Sequence, residues 1–288
     1  METSELIKKV KKIEIKSKGL SSQIFSGEYH SAFKGRGMAF SEVRDYAVGD
    51  DIRTIDWNVT ARLNETHVKV FEEERELTVM LLVDVSASEM FGTNDQLKRE
   101  LITELCAVLA FSAVSNNDRI GLLMFSDQIE KFIPPKKGKT HILRIIRELI
   151  SLKPKGTKTN ISEALSYFTK MVNKRSIAFV LSDFQDENIE KAVKIASRKH
   201  DLIAIKTKDA AEENLPNLGL VKWRNLESGE TTWVNTSSKK WPHRYKEVAK
   251  AHDEKIAEIF KRSKVDSVEL YTNEDYIKPL KNLFKRRG

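Results

Sequence analysis

Two aspartates, two serines and a threonine carry the clearest chemistry in this sequence. Asp84-Val-Ser86-Ala-Ser88 closes the apolar run Thr78-Val-Met-Leu-Leu-Val. Alternate residues of an extended turn point to the same side, so one carboxylate and two hydroxyls converge there. Thr159, within Gly156-Thr-Lys-Thr159-Asn-Ile-Ser-Glu-Ala-Leu, adds a hydroxyl from a loop that enters a helix. Asp183 closes a second apolar run, Ser176-Ile-Ala-Phe-Val-Leu-Ser, and adds a second carboxylate. An all-oxygen set of low charge suits a hard divalent cation, Mg2+ most naturally, with Mn2+ and Ca2+ as alternatives and water filling the remaining positions. Such an ion stays electrophilic, and an acidic side chain from a partner can replace one water. The plainer reading makes Asp84 a turn former and helix cap and the serines incidental loop residues. The position at the end of a buried strand argues for the former.

These residues need a parallel sheet to position them. In an open parallel sheet, loops converge outside the carboxyl ends of the strands, and ligands bind there. Thr78–Asp84, Asp118–Ser126 and Ser176–Asp183 read as buried strands, because a strand covered on both faces is a continuous apolar run. Helices are expected at 94–116, with Leu97, Leu101, Leu105, Val108, Leu109 and Ser112 on one stripe, and at 140–151, 161–172 (Asn160 as cap), 187–199 and 242–263. An edge strand at 128–133 should stop at Pro134-Pro135. Strands at 202–206 and 267–271, a hairpin of 220–226 with 231–235, and a closing helix complete the series. The alternation predicts an α/β fold, a Rossmann-like, mainly parallel sheet flanked by helices. Residues 77–288 are assigned to this domain, and residues 1–76 to an amino-terminal helix (4–17) and a small β-rich segment.

Val-Asp84-Val-Ser86-Ala-Ser88, the Thr159-Asn-Ile-Ser-Glu-Ala-Leu segment and Leu-Ser-Asp183 resemble, in order, the metal-ion-dependent adhesion site of von Willebrand factor A domains. The resemblance implies that Asp84, Ser86 and Ser88 hold the ion directly and that Thr159 and Asp183 hold it directly or through water. Thr157 competes for the threonine role, but Thr159 stands at the family-like distance before Ala164-Leu165. Upstream, Gly35-Arg-Gly37-Met-Ala-Phe40-Ser-Glu-Val-Arg44-Asp-Tyr46-Ala-Val-Gly49-Asp50-Asp51-Ile-Arg53-Thr-Ile-Asp56-Trp57 with Ala61-Arg62 resembles the signature of bacterial domain-of-unknown-function family 58. Leu215-Pro-Asn-Leu-Gly219 and Glu227-Ser-Gly229-Glu are similar to that family as well, so the likeness spans about residues 30 to 240. Members are commonly linked with a MoxR-type AAA+ ATPase, which implies a partner of that kind and an assembly or chaperone-like role; the resemblance supplies no molecular activity, and the chain is expected to be a non-enzymatic, metal-dependent protein-interaction module. Many relatives carry membrane helices before the signature; the short stretch before it here leads us to expect a cytoplasmic form. Within the signature, Arg44, Arg53 and Arg62 beside Asp45, Asp50, Asp51 and Asp56 read as an ion-pair network with Trp57 as its apolar anchor, or alternatively as a docking face.

The whole chain bounds these readings. It has 288 residues, 40% hydrophobic and 32% charged, enough to bury a proper core, and the single Cys106 in an apolar segment permits no intrachain disulfide. No apolar run approaches the length of a bilayer span. A net charge of +8 permits nucleic acid or acidic partners, but no zinc-knuckle, KH or RNP pattern supplies base contacts. Position 86 is Ser where a haloacid-dehalogenase-like phosphatase would carry a second Asp, and no nucleophile elbow or P-loop is present. A metal-dependent phosphoester hydrolase remains the alternative function, disfavoured by the lack of a placed general base. The lysines of 136–139 and 153–158 lie in two loops expected to border the metal site, either as solubilising charges or to steer an acidic partner.

Overall fold

A computed structural model of the chain describes residues 10–14, 16–17, 20, 39–72, 76–90, 97–186, 188–213, 218–224, 231–238, 240–272 and 274–287. The chain forms two compact units, residues 34–77 and residues 1–33 together with 78–288. Helical residues 10–14 and 16–17 thus group with the larger unit, where Lys16 pairs with Glu104 at 2.7 Å and Glu14 with Lys139 at 3.0 Å.

In the smaller unit, strand β1 (Ala39–Asp45), a 3-10 turn (Ile52–Thr54), helix α1 (Trp57–Leu63) and strand β2 (His67–Glu72) follow in order, and β1 pairs antiparallel with β2. Asp56 caps α1 by accepting from the amides of Asn58 and Val59, satisfying donors that the first helical turn leaves open. Of the expected ion-pair network, Arg44 grips Asp50 through two 2.7 Å hydrogen bonds and holds its carboxyl below the usual range. Asp45 meets His67 at 3.2 Å, and Asp56 meets Lys69. Trp57 is not the apolar anchor: it is 69% exposed, and among the described residues of this unit Val68 is the buried apolar one.

The larger unit runs as strand β3 (Thr78–Asp84), a 3-10 turn (Ala87–Met90), helix α2 (Lys98–Ser115), strands β4 (Arg119–Phe125) and β5 (Ile129–Lys136), helices α3 (Lys139–Ser151) and α4 (Ile161–Met171), strand β6 (Ile177–Ser182), helix α5 (Glu190–Lys199), strand β7 (Asp201–Lys208), helix α6 (Ala210–Glu213), strands β8 (Leu220–Arg224) and β9 (Thr231–Asn235), helix α7 (Lys240–Arg262), strand β10 (Asp266–Tyr271) and helix α8 (Ile277–Arg287). Six strands form one sheet in the order β10-β7-β6-β3-β4-β5, parallel except for the edge strand β5. This is the von Willebrand factor A-like α/β architecture expected from the motifs, with β8 and β9 a separate antiparallel pair.

Two elements depart from expectation. Strand β5 does not stop at the prolines; it runs through Pro134 and Pro135 to Lys136, with a register irregularity opposite Ile120–Leu122. An edge strand has one side free of partners, so a missing N–H there costs no ladder bond. Helix α2 is buried nearly all round rather than on one stripe, from Leu101 through Ala113. Its outer side is covered because Glu104 receives both Lys16 and the Tyr276 hydroxyl. Cys106 is fully buried in this helix, and burial pushes its thiol pKa up. On the other side of the sheet, Phe168, Val193, Ile256 and Phe260 from the helices pack on Leu82, Val180 and Ala204 of the strands. Among the described residues, no helix is long and apolar enough to cross a membrane.

Candidate metal centre

Asp84 lies at the carboxyl end of the central strand, in register with Phe125 of β4. Its Oδ1 accepts from the Ser86 amide at 2.9 Å, which folds the chain so that the Ser86 and Ser88 hydroxyls come within 3.0 Å of each other. Its Oδ2 accepts from the Thr159 hydroxyl at 3.2 Å and the Ser182 hydroxyl at 2.7 Å. Asp84, Ser86, Ser88 and Thr159 are therefore joined directly. Asp84 and Ser86 are buried, while Ser88 and Thr159 are half-buried and form the solvent side of the group.

The Thr159 loop is fastened from several directions. The Thr157 carbonyl accepts from the Ala87 amide at 3.0 Å, so Thr157 contributes its backbone to the serine turn. Glu130 Oε1 accepts from the Lys155 and Gly156 amides and the Ser126 hydroxyl at 2.8–2.9 Å. Burial would raise the Glu130 pKa, but these donors outweigh it and hold the carboxyl below its usual range. A side chain at residue 156 would crowd this approach, because a Cβ would lie 1.8 Å from Asp127 Oδ1 and 2.3 Å from Ser126 Oγ and both would have to shift. Asp186 Oδ2 accepts from the Ile161 amide at 2.9 Å, tying the turn after β6 to the start of α4.

Asp183 completes the group in a different way. A ligand oxygen from each of Asp84, Glu89 and Asp183 lies within 4.8 Å of the other two, and all three residues are buried. The Asp183 amide donates to Glu89 Oε1 at 3.0 Å, and its Oδ2 accepts from Lys98 Nζ at 3.2 Å. Lys98 is fully buried and also meets Glu212 at 2.5 Å. Phe184, next in sequence, sits at φ 58°, an uncommon conformation for a bulky residue, held by its amide donating to Ser182 Oγ and by His252 Nε2 at 2.8 Å from its carbonyl.

The electrostatics follow from this crowding. Burial, reinforced by the Asp183 charge, raises the Asp84 pKa to about 7. Burial and the same neighbour push Glu89 well above the carboxylate range, opposed by Lys98. Burial alone would depress the Lys98 ammonium, but Asp183, Glu89 and Glu212 outweigh it and hold its pKa above the usual lysine range. Asp183, Glu89 and Glu212 thus share one ammonium, with the Asp84 carboxyl beside them, and such a crowd of carboxyl groups is of the kind a divalent cation relieves. The 3.0 Å Ser86–Ser88 spacing fits adjacent ligands of an octahedral ion with metal–oxygen bonds of about 2.0–2.1 Å.

The residues not anticipated are Glu89, Lys98, Ser182 and Glu212. Glu89 follows directly on Asp-x-Ser-x-Ser, and Lys98 falls on the same helical face as Leu101, Ile102 and Leu105, a placement that hints at burial. Of the two lysine loops expected at the site, only 153–158 reaches it. Lys136 pairs with Ile120 near the start of β4, at the opposite end of the sheet.

Comparisons with known proteins agree with this architecture. "Uncharacterized protein Rv1480" of Mycobacterium tuberculosis is 29% identical over 220 residues, covering 75% of this chain and 69% of that protein. The crystal structure of conserved hypothetical protein BatB from Bacteroides thetaiotaomicron has a TM-score of 0.50 at 15% identity, covering 73% of this chain and 98% of that one. An aerotolerance-related membrane protein from Bacteroides fragilis matches with the same score, identity and coverage. A family model, "Protein of unknown function DUF58", matches residues 42–255, most of the length, and the chain belongs to that family.

Proposed function

We propose that the chain is a non-enzymatic, metal-dependent protein-interaction module. In this reading Asp84, Ser86 and Ser88 hold the ion, Mg2+ most naturally, and Thr159 and Asp183 support it directly or through water. The observation that carries the reading is the direct joining of Asp84, Ser86, Ser88 and Thr159 at the carboxyl end of β3, with Ser88 and Thr159 facing solvent. When bound, the ion supplies an electrophilic position that an incoming carboxylate can occupy.

The chain's own groups determine what can approach. Asp84 is oriented by three donors and cannot turn away from the turn that holds the serines. Lys98 lies behind Asp183, where it offsets part of the negative charge without occupying the solvent side. Exposed Lys153, Lys155 and Lys158 flank the Thr159 loop and favour an acidic partner. The partner therefore offers a glutamate or aspartate, and a MoxR-type AAA+ ATPase in an assembly or chaperone-like pathway is the proposed candidate. Among the described residues, no carboxylate or histidine hydrogen-bonds the Ser88 or Thr159 hydroxyls from the solvent side, so the phosphoester hydrolase has no general base in place to support it.

The test is affinity capture from extract of the native cell with the full chain in Mg2+, in EDTA, and as Asp84→Ala in Mg2+. Capture of a AAA+ ATPase in the first arm alone is expected, with the Asp84→Ala protein still folded by circular dichroism. Equal capture in all three arms would remove the metal from the interaction.

A further inference from the structure

At the end of the sheet opposite the carboxylates, a cleft of about 380 Å3 opens among Arg175, Lys194, Ser197, Arg198, His200, Asp201, Leu202, Arg262, Ser263 and Lys264. It lies where β6 and β7 begin and where α5 and α7 end. Its charge is lopsided. Asp201 is already held by Arg287, and Arg262 by Glu258, while Arg175, Lys194, Arg198 and Lys264 have no carboxylate partner among the described residues. All four are exposed.

Basic residues in the last turn of a helix complement its dipole, and that accounts for Arg198 and Arg262. It does not account for Arg175, which lies before β6, or for Lys264, which follows α7 at φ 55°, a cap conformation usually taken by glycine. Nor does it account for His200. That imidazole is 1% exposed, lines the cleft and stacks on Phe168 at 4.3 Å, yet neither ring nitrogen has a hydrogen-bond partner among the described residues. Buried polar groups are almost always satisfied, so an imidazole without a hydrogen-bond partner at the wall of a cationic cleft points to a ligand.

We infer that this cleft binds a small molecule carrying two or more linked phosphates, with Arg175, Lys194, Arg198 and Lys264 gripping the phosphate oxygens and His200 hydrogen-bonding the innermost one. The size supports a small ligand, since pockets of about 300–1,000 Å3 hold drug-sized molecules. The His200 nitrogens are covered in the free chain, so the imidazole must turn toward the cleft to meet a phosphate. Four cations exceed what one phosphate needs, and the charged groups at the cleft are almost all basic, which favours linked phosphates. Burial, with the Lys199 and Arg175 charges, lowers the His200 pKa to about 4, so the free imidazole is neutral and offers one donor and one acceptor.

The test uses the full chain in EDTA, which separates this cleft from the metal centre. Inorganic pyrophosphate, phosphate and sulfate are titrated by calorimetry into wild type, Arg175→Gln/Arg198→Gln and Asp84→Asn. Saturable 1:1 pyrophosphate binding is expected, tighter than either single anion, weakened at least about tenfold in the Arg variant and unchanged in Asp84→Asn. In NMR, the His200 ring signals, assigned by their loss in His200→Gln, should shift on saturation. The Arg variant decides the matter even if His200→Gln does not fold. Equal weak binding of the three anions, or an unchanged affinity in the Arg variant, would overturn the proposal.

Discussion

The two ends of the central sheet gather opposite surpluses of charge and stabilise them differently. At the carboxyl end, Asp183, Glu89 and Glu212 share the ammonium of Lys98 beside Asp84, and backbone amides and hydroxyls hold nearly every oxygen in place. At the amino end, exposed cations line an open cleft beside a buried imidazole that has no hydrogen-bond partner among the described residues. The carboxyl end is preorganised by the fold's own hydrogen bonds, whereas the amino end has its charges in place and its central polar group unsatisfied. A buried charge cluster has to be closed by the protein itself, since each missing partner is costly; an exposed one can leave the closing to a ligand.

This contrast can be broken most severely at Lys98. Lys98→Met leaves Asp183, Glu89 and Glu212 without their shared cation and is expected to cost about 3–5 kcal/mol in urea unfolding. A loss under 1 kcal/mol would show that the carboxylates are compensated by other means. At the amino end, His200 sharpens the contrast through pH. Its folded pKa of about 4 lies below the unfolded value of about 6.5, so the unfolded chain takes up the proton first and stability falls as pH drops through that window. The loss approaches about 3 kcal/mol at pH 4, read as the difference between wild type and His200→Gln so that other titrating groups cancel. A flat difference would mean that the imidazole is solvated. The smallest effect is expected from Glu130→Ala, which releases the Lys155 and Gly156 amides at a cost of about 1–2 kcal/mol and weakens metal binding only by loosening the Thr159 loop.

The sheet was legible because β3, β4 and β6 are unbroken apolar runs, the form a strand buried on both faces must take. Asp84, Ser86, Ser88, Thr159 and Asp183 were legible as a set because their spacing and strand-end positions coincide with a known motif. Glu89 and Lys98 were not, since a charged residue in a turn or at a helix start ordinarily faces water, and only tertiary closure buries these two. The breadth of α2 burial was hidden for the same reason: its outer cover comes from residues near positions 16 and 276, far away in sequence. The cationic cleft is assembled from three distant stretches, around 175, 194–202 and 262–264, each of which alone reads as solvated charge.

The proposed function requires Asp84 to anchor a divalent cation at the carboxyl end of the sheet. Its most direct test is calorimetric titration of Mg2+ into EDTA-stripped wild type and Asp84→Asn, with unfolding curves for both. One Mg2+ per wild-type chain and a stability gain of about 2.7 kcal/mol at a hundred times Kd are expected, with neither in Asp84→Asn, which should fold at least as well as the metal-free wild type because a buried ionisable group has been removed. Absence of Mg2+, Mn2+ and Ca2+ binding to wild type, or equal binding to both proteins, would contradict it.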